Sequence, residues 1–486
     1  ADDRAAIARA FTGLIVPLLI ASATTLGAFV VMALSYFPAF QEFGLIAVLG
    51  VALCLLAMTT VFPALLCLVG VKEPRERAVA DRESPSRYVR LLVDRPGLVV
   101  ALVAALAGLG YLGARDVAFE SNGRMLQSES RRDQVEADTQ LISRIFGKGD
   151  EKKDIHAGIL VVDDLDRARA VLDRARPAHE ARVQAGTSRV AEIFAAPDLL
   201  PPPAIDPAAR QQAIAALTED FSEGTWEKLE ARAAADAAAD AADAALSPAD
   251  ARRLQRMLKA EPVALDDLPP TVLHKIRGRD GRFAVYAYPN FDAADIFKGV
   301  EFMDETAAYV ERPEEMRFVG ETTVYAAMYL MMKQEAPTIL ATAAGVIALL
   351  VLIQLRSIVH LVITLLPLVV SVWWLVAVMG AADVRFTLFN VPILPAVLGI
   401  GVDNGVYLTD RLRRLAGEDR AHAVGETGAA ILAATSTTAI GFAAFTLADS
   451  GGLQGIGVVA VFGILAAALA ALLVVPSLFA LLGLRK

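Results

Sequence analysis

The chain has 486 residues, 55% of them hydrophobic and 21% charged, and its mean hydropathy is +0.49. Such apolarity excludes an ordinary soluble enzyme and predicts a membrane protein with a sizeable polar part. A formal net charge of −9, with no basic patch interleaved with aromatics, excludes a nucleic-acid partner.

The opening ADDRAAIARAF has neither Met nor a signal-peptide pattern and reads as the interior of a longer chain. Eight runs are long and apolar enough to cross a bilayer, which takes about 20 helical residues. They are 11–36, 43–70, 96–114, 336–355, 358–380, 386–408, 427–448 and 455–483. Cys54 and Cys67 both lie in the second run, so a disulfide framework is not expected, and no spacing suits a metal. The linker 71–95 carries Lys72, Arg75, Arg77, Arg82, Arg87, Arg90 and Arg95. Arg411, Arg413, Arg414 and Arg420 follow Leu408, and the chain ends Arg485-Lys486. By the positive-inside rule these three places are cytoplasmic. The loops 37–43, 381–385 and 449–455 then face out, and both ends lie inside.

The polar region 115–335 falls outside the membrane and is expected to be an α+β domain. It contains a helix at 131–146, a strand at 157–162 and a helix capped by Asp163 or Asp164. Further strands are expected at 283–288 and 316–319. The Pro-rich stretch 197–207 reads as a stiff linker, and 208–262 as a helical insertion with a start at Ser247-Pro248. Asp236, Asp240 and Asp243 share one helix face there, which reads as a solvated face rather than a cation site. Asp163, Asp164 and Asp166 likewise cap a helix, since no EF-hand spacing follows.

The chain repeats itself at an offset of 413 residues. Ala47-Val48-Leu49-Gly50 matches Ala460-Val461-Phe462-Gly463, Thr24 and Thr25 match Thr437 and Thr438, and Pro63 matches Pro476. Residues 1–70 are thus expected to be the last two helices of a first repeat. The second repeat is expected whole: span 96–114, the outside domain 115–335 and five helices in 336–486. The repeats run parallel about an axis along the membrane normal, with about twelve spans in the complete protein.

One acid stands inside an uncharged run, AVLGIGVDNGVYL at 396–408. Gly399, Asp403, Tyr407 and Asp410 recur at helical spacing and form one stripe. Gly401 and Gly405 form a GxxxG on another face, where small residues let helices approach. The stripe is therefore expected to face packed helices, because a lipid-facing carboxylate would cost several kcal/mol. Burial favours the neutral acid and hydrogen bonds favour the charged one, so proton binding can be coupled to packing.

The stretches GIGVDNGVYLTDRLR (399–413), TGAAILAATSTTAIGFAAF (427–445) and TTLGAF (24–29) resemble the MmpL-type branch of the RND superfamily. The paired helix endings VFPALL (61–66) and VVPSLF (474–479) add to the likeness. The resemblance covers all eight helices, about half the chain. It implies a pseudo-twofold helical membrane protein with a porter-like α+β domain, in a bacterial inner membrane with that domain in the periplasm. It also implies export of lipids or other hydrophobic molecules driven by protons, with no other cofactor. The proton-carrying acid of the fourth helix falls on Asp403. Branch members often have Tyr after it; here the residue is Asn404, with Tyr407 one turn on. A relay hydroxyl on the next helix would fall on Thr437 or Thr438.

Tyr325, Met328, Met331 and Met332, leading into the fourth span, offer a soft surface to irregular apolar ligands. The plainer alternative is packing at the bilayer edge. Expected partners are a hydrophobic substrate, membrane lipids and the remainder of the first repeat; homo-oligomerisation is left open. A sterol-sensing module without pumping and a SecDF-like accessory are the competing classes. Neither a GxSxG nor a catalytic triad is present, so no enzyme is expected.

Overall fold

The computed structural model describes residues 2–69, 87–115, 117–126, 156–200, 264–312, 316–415 and 418–483, with isolated helical positions between 134 and 141 and between 212 and 231. The expectations for 71–86, 131–146, 201–207 and 208–262, including Asp236, Asp240, Asp243 and Ser247, lie outside the described residues, as does the tail Arg485-Lys486. In chain order the first helices are α1 (Asp2–Ala33), α2 (Pro38–Val69), α3 (Arg87–Asp94) and α4 (Pro96–Ala114). Next come β1 (Gly158–Val162), α5 (Leu165–Gln184), β2 (Val190–Ala195), α6 (Pro270–Ile276), β3 (Phe283–Pro289) and α7 (Ile296–Ala307). The chain closes with α8 (Glu321–Leu355), α9 (Ile358–Ala381), α10 (Ile393–Arg413), α11 (Glu418–Ala443) and α12 (Gly451–Leu481). Two compact units result: Ala1–Ile145 with Ala294–Phe297 and Tyr325–Lys486, and Phe146–Ala293 with Lys298–Val324.

The first unit is a helix bundle. Among the described residues, α2, α4, α8, α9, α12 and the stretch Arg420–Leu447, which takes in most of α11, are long and apolar enough to cross a membrane. That is six where the sequence reading expects eight. The other two runs coincide with α1 and α10. Of α1, the stretch Ala21–Ala33 counts as a shorter apolar helix. α10 carries Asp403, Asn404, Asp410, Arg411 and Arg413 within 21 residues and is not among the six. Several boundaries also move: α1 starts at Asp2 rather than 11, α8 at Glu321 rather than 336, α10 at Ile393 rather than 386, and α11 at Glu418 rather than 427.

Small residues decide where helices touch. α1 and α2 form a tight hairpin in which a Cβ on Gly44 would lie 2.4 Å from the Ala33 nitrogen. The rings of Phe29 and Phe43 close its flank, 6.2 Å apart. α4 crosses α9 where Gly113 meets Ala377 and Gly380; a Cβ on Gly380 would fall 1.8 Å from the Gly113 oxygen. α12 is the most deeply packed of the six, burying Gly457, Gly463, Ala467 and Ala471 among its neighbours. By contrast α2 leaves Leu49, Leu53, Leu56 and Leu65 exposed.

The second unit is α+β. β3 is the central strand of an antiparallel sheet in the order β1-β3-β2. Alternation works here as period-2 patterning demands: Leu160, Val162, Val285 and Ala287 point inward onto Val171, Leu172 and Phe302. α5 starts at Asp164, whose carboxylate accepts from the Arg167 N–H at 2.7 Å. The strand expected at 316–319 does not form; Val319 makes an isolated bridge to Ile159. β2, which the sequence reading did not anticipate, is short, carries Glu192 and lies among alanines.

Glu305 is fully buried and organises this unit. It accepts from the Ser188 hydroxyl at 2.9 Å, the Arg189 N–H at 2.6 Å and the Tyr309 hydroxyl at 2.7 Å. Burial first, and then the Glu305 carboxylate, push the Tyr309 phenol well above its ordinary value.

Candidate functional site

α10 is the most constrained helix around the candidate acid. Its three sequence-picked glycines each meet a different neighbour. A Cβ on Gly399 would lie 3.0 Å from the Ala28 Cβ of α1. On Gly401 it would lie 2.8 Å from the Ala467 Cβ of α12, and on Gly405 2.7 Å from the Thr364 oxygen of α9. Close approach on these faces fixes the rotation of α10, and with it the direction of Asp403.

Asp403 meets α1. The Thr24 hydroxyl lies 3.1 Å from its Oδ1 and the Thr25 hydroxyl 3.2 Å from its Oδ2, so each carboxylate oxygen has one donor. Both threonines are buried. Each also has backbone acceptors in reach: Ala21 O at 2.7 Å for Thr24, and Ala21 O at 3.3 Å or Gly399 O at 3.2 Å for Thr25. A hydroxyl has one proton to donate, so these acceptors are alternatives. With Asp403 ionised the hydroxyls turn to the carboxylate, where each bond to the charge is worth about 1.5–3 kcal/mol. With Asp403 neutral they have the backbone to return to. The arrangement can therefore rest in two states.

On its other side Asp403 borders a cavity of about 1020 Å³. Asn404, Tyr407 and Asp410 line it from α10, and Thr435 and Thr438 from α11. Asn404 and Tyr407 thus stand beside the acid without being its hydrogen-bond partners. Charges gather at one end: Arg414 donates to Asp410 at 3.0 and 3.2 Å, and Arg411 lies 3.8 Å from Glu426.

The relay hydroxyls expected from the sequence do not bond Asp403: Thr437 is exposed and Thr438 is half-buried at the cavity wall, and they donate to Ala434 O at 2.8 and 3.0 Å, the usual back-bonding of membrane hydroxyls. The 413-residue repeat had already paired Thr24 and Thr25 with them, and that register was the signal that could have found the true neighbours. Of the four apolar-surface residues, Met332 is buried, and Tyr325 and Met328 pack against the same core cluster; Met331 is exposed. Tyr329, beside them, belongs to an aromatic group with Phe119 (4.8 Å) and Phe297 (5.4 Å).

The MMPL family pattern matches residues 1–99 and 204–486, which include every helix that builds this site. The chain belongs to the MMPL family. This MMPL chain is 26% identical over 475 residues, 90% of its length, to the hopanoid transporter HpnN of Rhodopseudomonas palustris, of which it covers 51%. It is 32% identical over 145 residues, 28% of its length, to a putative membrane protein of Methanocaldococcus jannaschii, of which it covers 37%. The chain thus spans about half the length of one curated relative and little more than a third of the other.

Proposed function

We propose that this MMPL chain is part of an RND-type transporter that moves lipids or other hydrophobic molecules from the inner membrane or periplasm and is driven by protons bound at Asp403. One observation carries the reading: a carboxylate inside the helix bundle, with one threonine hydroxyl on each oxygen and a cavity on its open side. An acid kept at this cost needs a task, and the alternative backbone acceptors supply a two-state element for it to bias. The hopanoid transporter relative supports a polycyclic or otherwise hydrophobic cargo.

In this reading α1 and α10 complete eight spans, and the α+β unit stands outside the membrane. The internal repeat makes α1 and α2 the end of a first half. Their packing supports that: a Cβ on Gly463 of α12 would lie 2.8 Å from the Val397 side chain, while one on its repeat counterpart Gly50 of α2 would have nothing within 4 Å. A set of helices like α9 and α10, contributed by the first half, would cover that face. By the same symmetry Thr437 and Thr438 would serve an acid of that half, as Thr24 and Thr25 serve Asp403.

The test uses the full-length protein in proteoliposomes with an imposed pH gradient, following a triterpenoid probe from donor to acceptor vesicles. Movement should require the gradient and stop in Asp403→Asn. Gradient-independent movement that Asp403→Asn leaves untouched would overturn the proposal.

A further inference from the structure

Asp403 is not the one carboxylate that holds α1. At the outer end of that helix, the turn into α2 presents the Ser35 hydroxyl and the Phe37 N–H to Glu335 of α8. The Phe37 N–H lies 3.2 Å from Glu335 Oε2 and 3.0 Å from the Ser35 oxygen, and the Ser35 hydroxyl donates to the same Oε2. The tie sits on a dry floor: Ser35, Phe37, Phe40 and Met332 are all buried. Below it the contact between α1 and α8 is apolar, with Gly27 facing Val346 and Leu350 and Ala28 packed in one cluster with Ala343 and Ile347. Apolar surfaces of this kind slide and tilt more freely than a carboxylate held by two donors.

We propose that Glu335 is a positioning residue that anchors the outer end of the α1–α2 hairpin to α8. The last residue of α1, Ala33, lies eight residues beyond Thr25, about 12 Å along the helix axis at 1.5 Å per residue, and Ser35 follows in the turn. α1 is thereby held at two points by acids of two different helices, one in its middle and one at its end. The consequence for transport rests on the proton-drive reading above. When a proton on Asp403 lets Thr24 and Thr25 turn to the backbone, the middle of α1 is released while its outer end stays fixed. α1 then tilts about Glu335 instead of drifting as a body. Because α8 carries Glu335, that tilt is exerted on α8.

The experiment measures distances by spin-label pairs in the full-length protein in lipid vesicles, with Cys54 and Cys67 replaced by alanine. One pair sits at the exposed positions Tyr36 and Gln334, beside the anchor. The other sits at the exposed positions Leu19 and Ile353, far from it. In the parent, the 36–334 distance is narrow and does not respond to Asp403→Asn. Glu335→Ala lengthens it by about 2 Å or more, the scale of helix shifts in switching proteins, and leaves 19–353 at its parental value. Ser35→Ala lengthens it in the same direction. Glu335→Gln keeps an oxygen acceptor for the Phe37 N–H and restores a distance near the parental one. A 36–334 distance unchanged by both Glu335→Ala and Ser35→Ala overturns the anchor. So does a Gln variant as loose as Ala. A 19–353 distance that ignores Asp403→Asn refutes the proton-drive reading alone, because the anchor is decided by the 36–334 pair.

Discussion

Replacing Gly405 by alanine tests how tightly the site is clamped. The new Cβ would lie 2.7 Å from the backbone oxygen of Thr364, where ordinary contact begins at 3.4 Å, and 3.3 Å from the Thr364 methyl. The methyl can adjust but the backbone oxygen cannot, so α10 and α9 must part by about 0.7 Å. Overpacking of this kind costs about 1–3 kcal/mol, while Gly to Ala in a helix interior returns up to about 1 kcal/mol. The net expectation is a loss of roughly 1–2 kcal/mol. Gly345→Ala on α8 is the matched control, since nothing lies within 4 Å of its Cβ position. It should be neutral or slightly stabilising. Reversible unfolding in mixed micelles, followed by circular dichroism, gives both numbers. The displacement also pushes Asp403, two residues away, toward α1, so transport should fall in Gly405→Ala and not in Gly345→Ala. A Gly405→Ala protein as stable as Gly345→Ala would refute the clamp.

Thr24→Val combined with Thr25→Val removes both donors from Asp403, and gradient-driven transport should be lost with the helices still inserted; transport at the parental rate would contradict their role. Thr437→Val with Thr438→Val loses only back-bonds to Ala434 and should change the stability of this chain by no more than about 0.5 kcal/mol, read by the same unfolding assay. In the α+β unit, Glu305→Ala strands the Arg189 N–H and should cost about 2–4 kcal/mol, with faster amide exchange at Arg189 and Val190 as the check. The Tyr309 phenol, raised by burial and by Glu305, predicts a pH dependence of that unit. Its contribution is fully present below the ordinary value of 10.0 and is lost as pH climbs above it, because the unfolded chain ionises first. Tyr309→Phe should flatten that alkaline loss in a thermal scan against pH.

The helices were legible because hydropathy reports burial in lipid directly, and all eight runs coincide with helices, although α8 begins 15 residues before its expected start and α1 and α11 nine. α10 differs in composition: it carries the polar residues that make it a candidate site and is not among the six. Gly399, Gly401 and Gly405 stand at close helix contacts, but Gly401 and Gly405, expected to share one GxxxG face, meet Ala467 and Thr364 on different helices. Their three different neighbours were not legible, because spacing along one helix says nothing of what packs on it. The hydrogen-bond partners of Asp403 were not legible for a similar reason. Thr437 and Thr438 follow Asp403 in the chain, yet sequence adjacency of helices is not adjacency of faces, and Thr24 and Thr25 reach it from 378 or more residues away. Glu335 escaped notice because a lone acid at a membrane edge reads as solvated until Ser35 and Phe37 are seen to meet it. β2 escaped because Glu192 and flanking alanines blur a six-residue alternation.

The central claim is that Asp403 changes its protonation state during the working cycle. Difference infrared spectroscopy of the full-length protein in vesicles, on a pH jump across the membrane, reads this directly through the carboxyl C=O stretch. The account predicts a protonated-carboxyl band that appears and disappears with the jump, is absent in Asp403→Asn and shifts in frequency when Thr24 and Thr25 are both valine. A spectrum with no carboxyl difference band, or one that survives intact in Asp403→Asn, would contradict it.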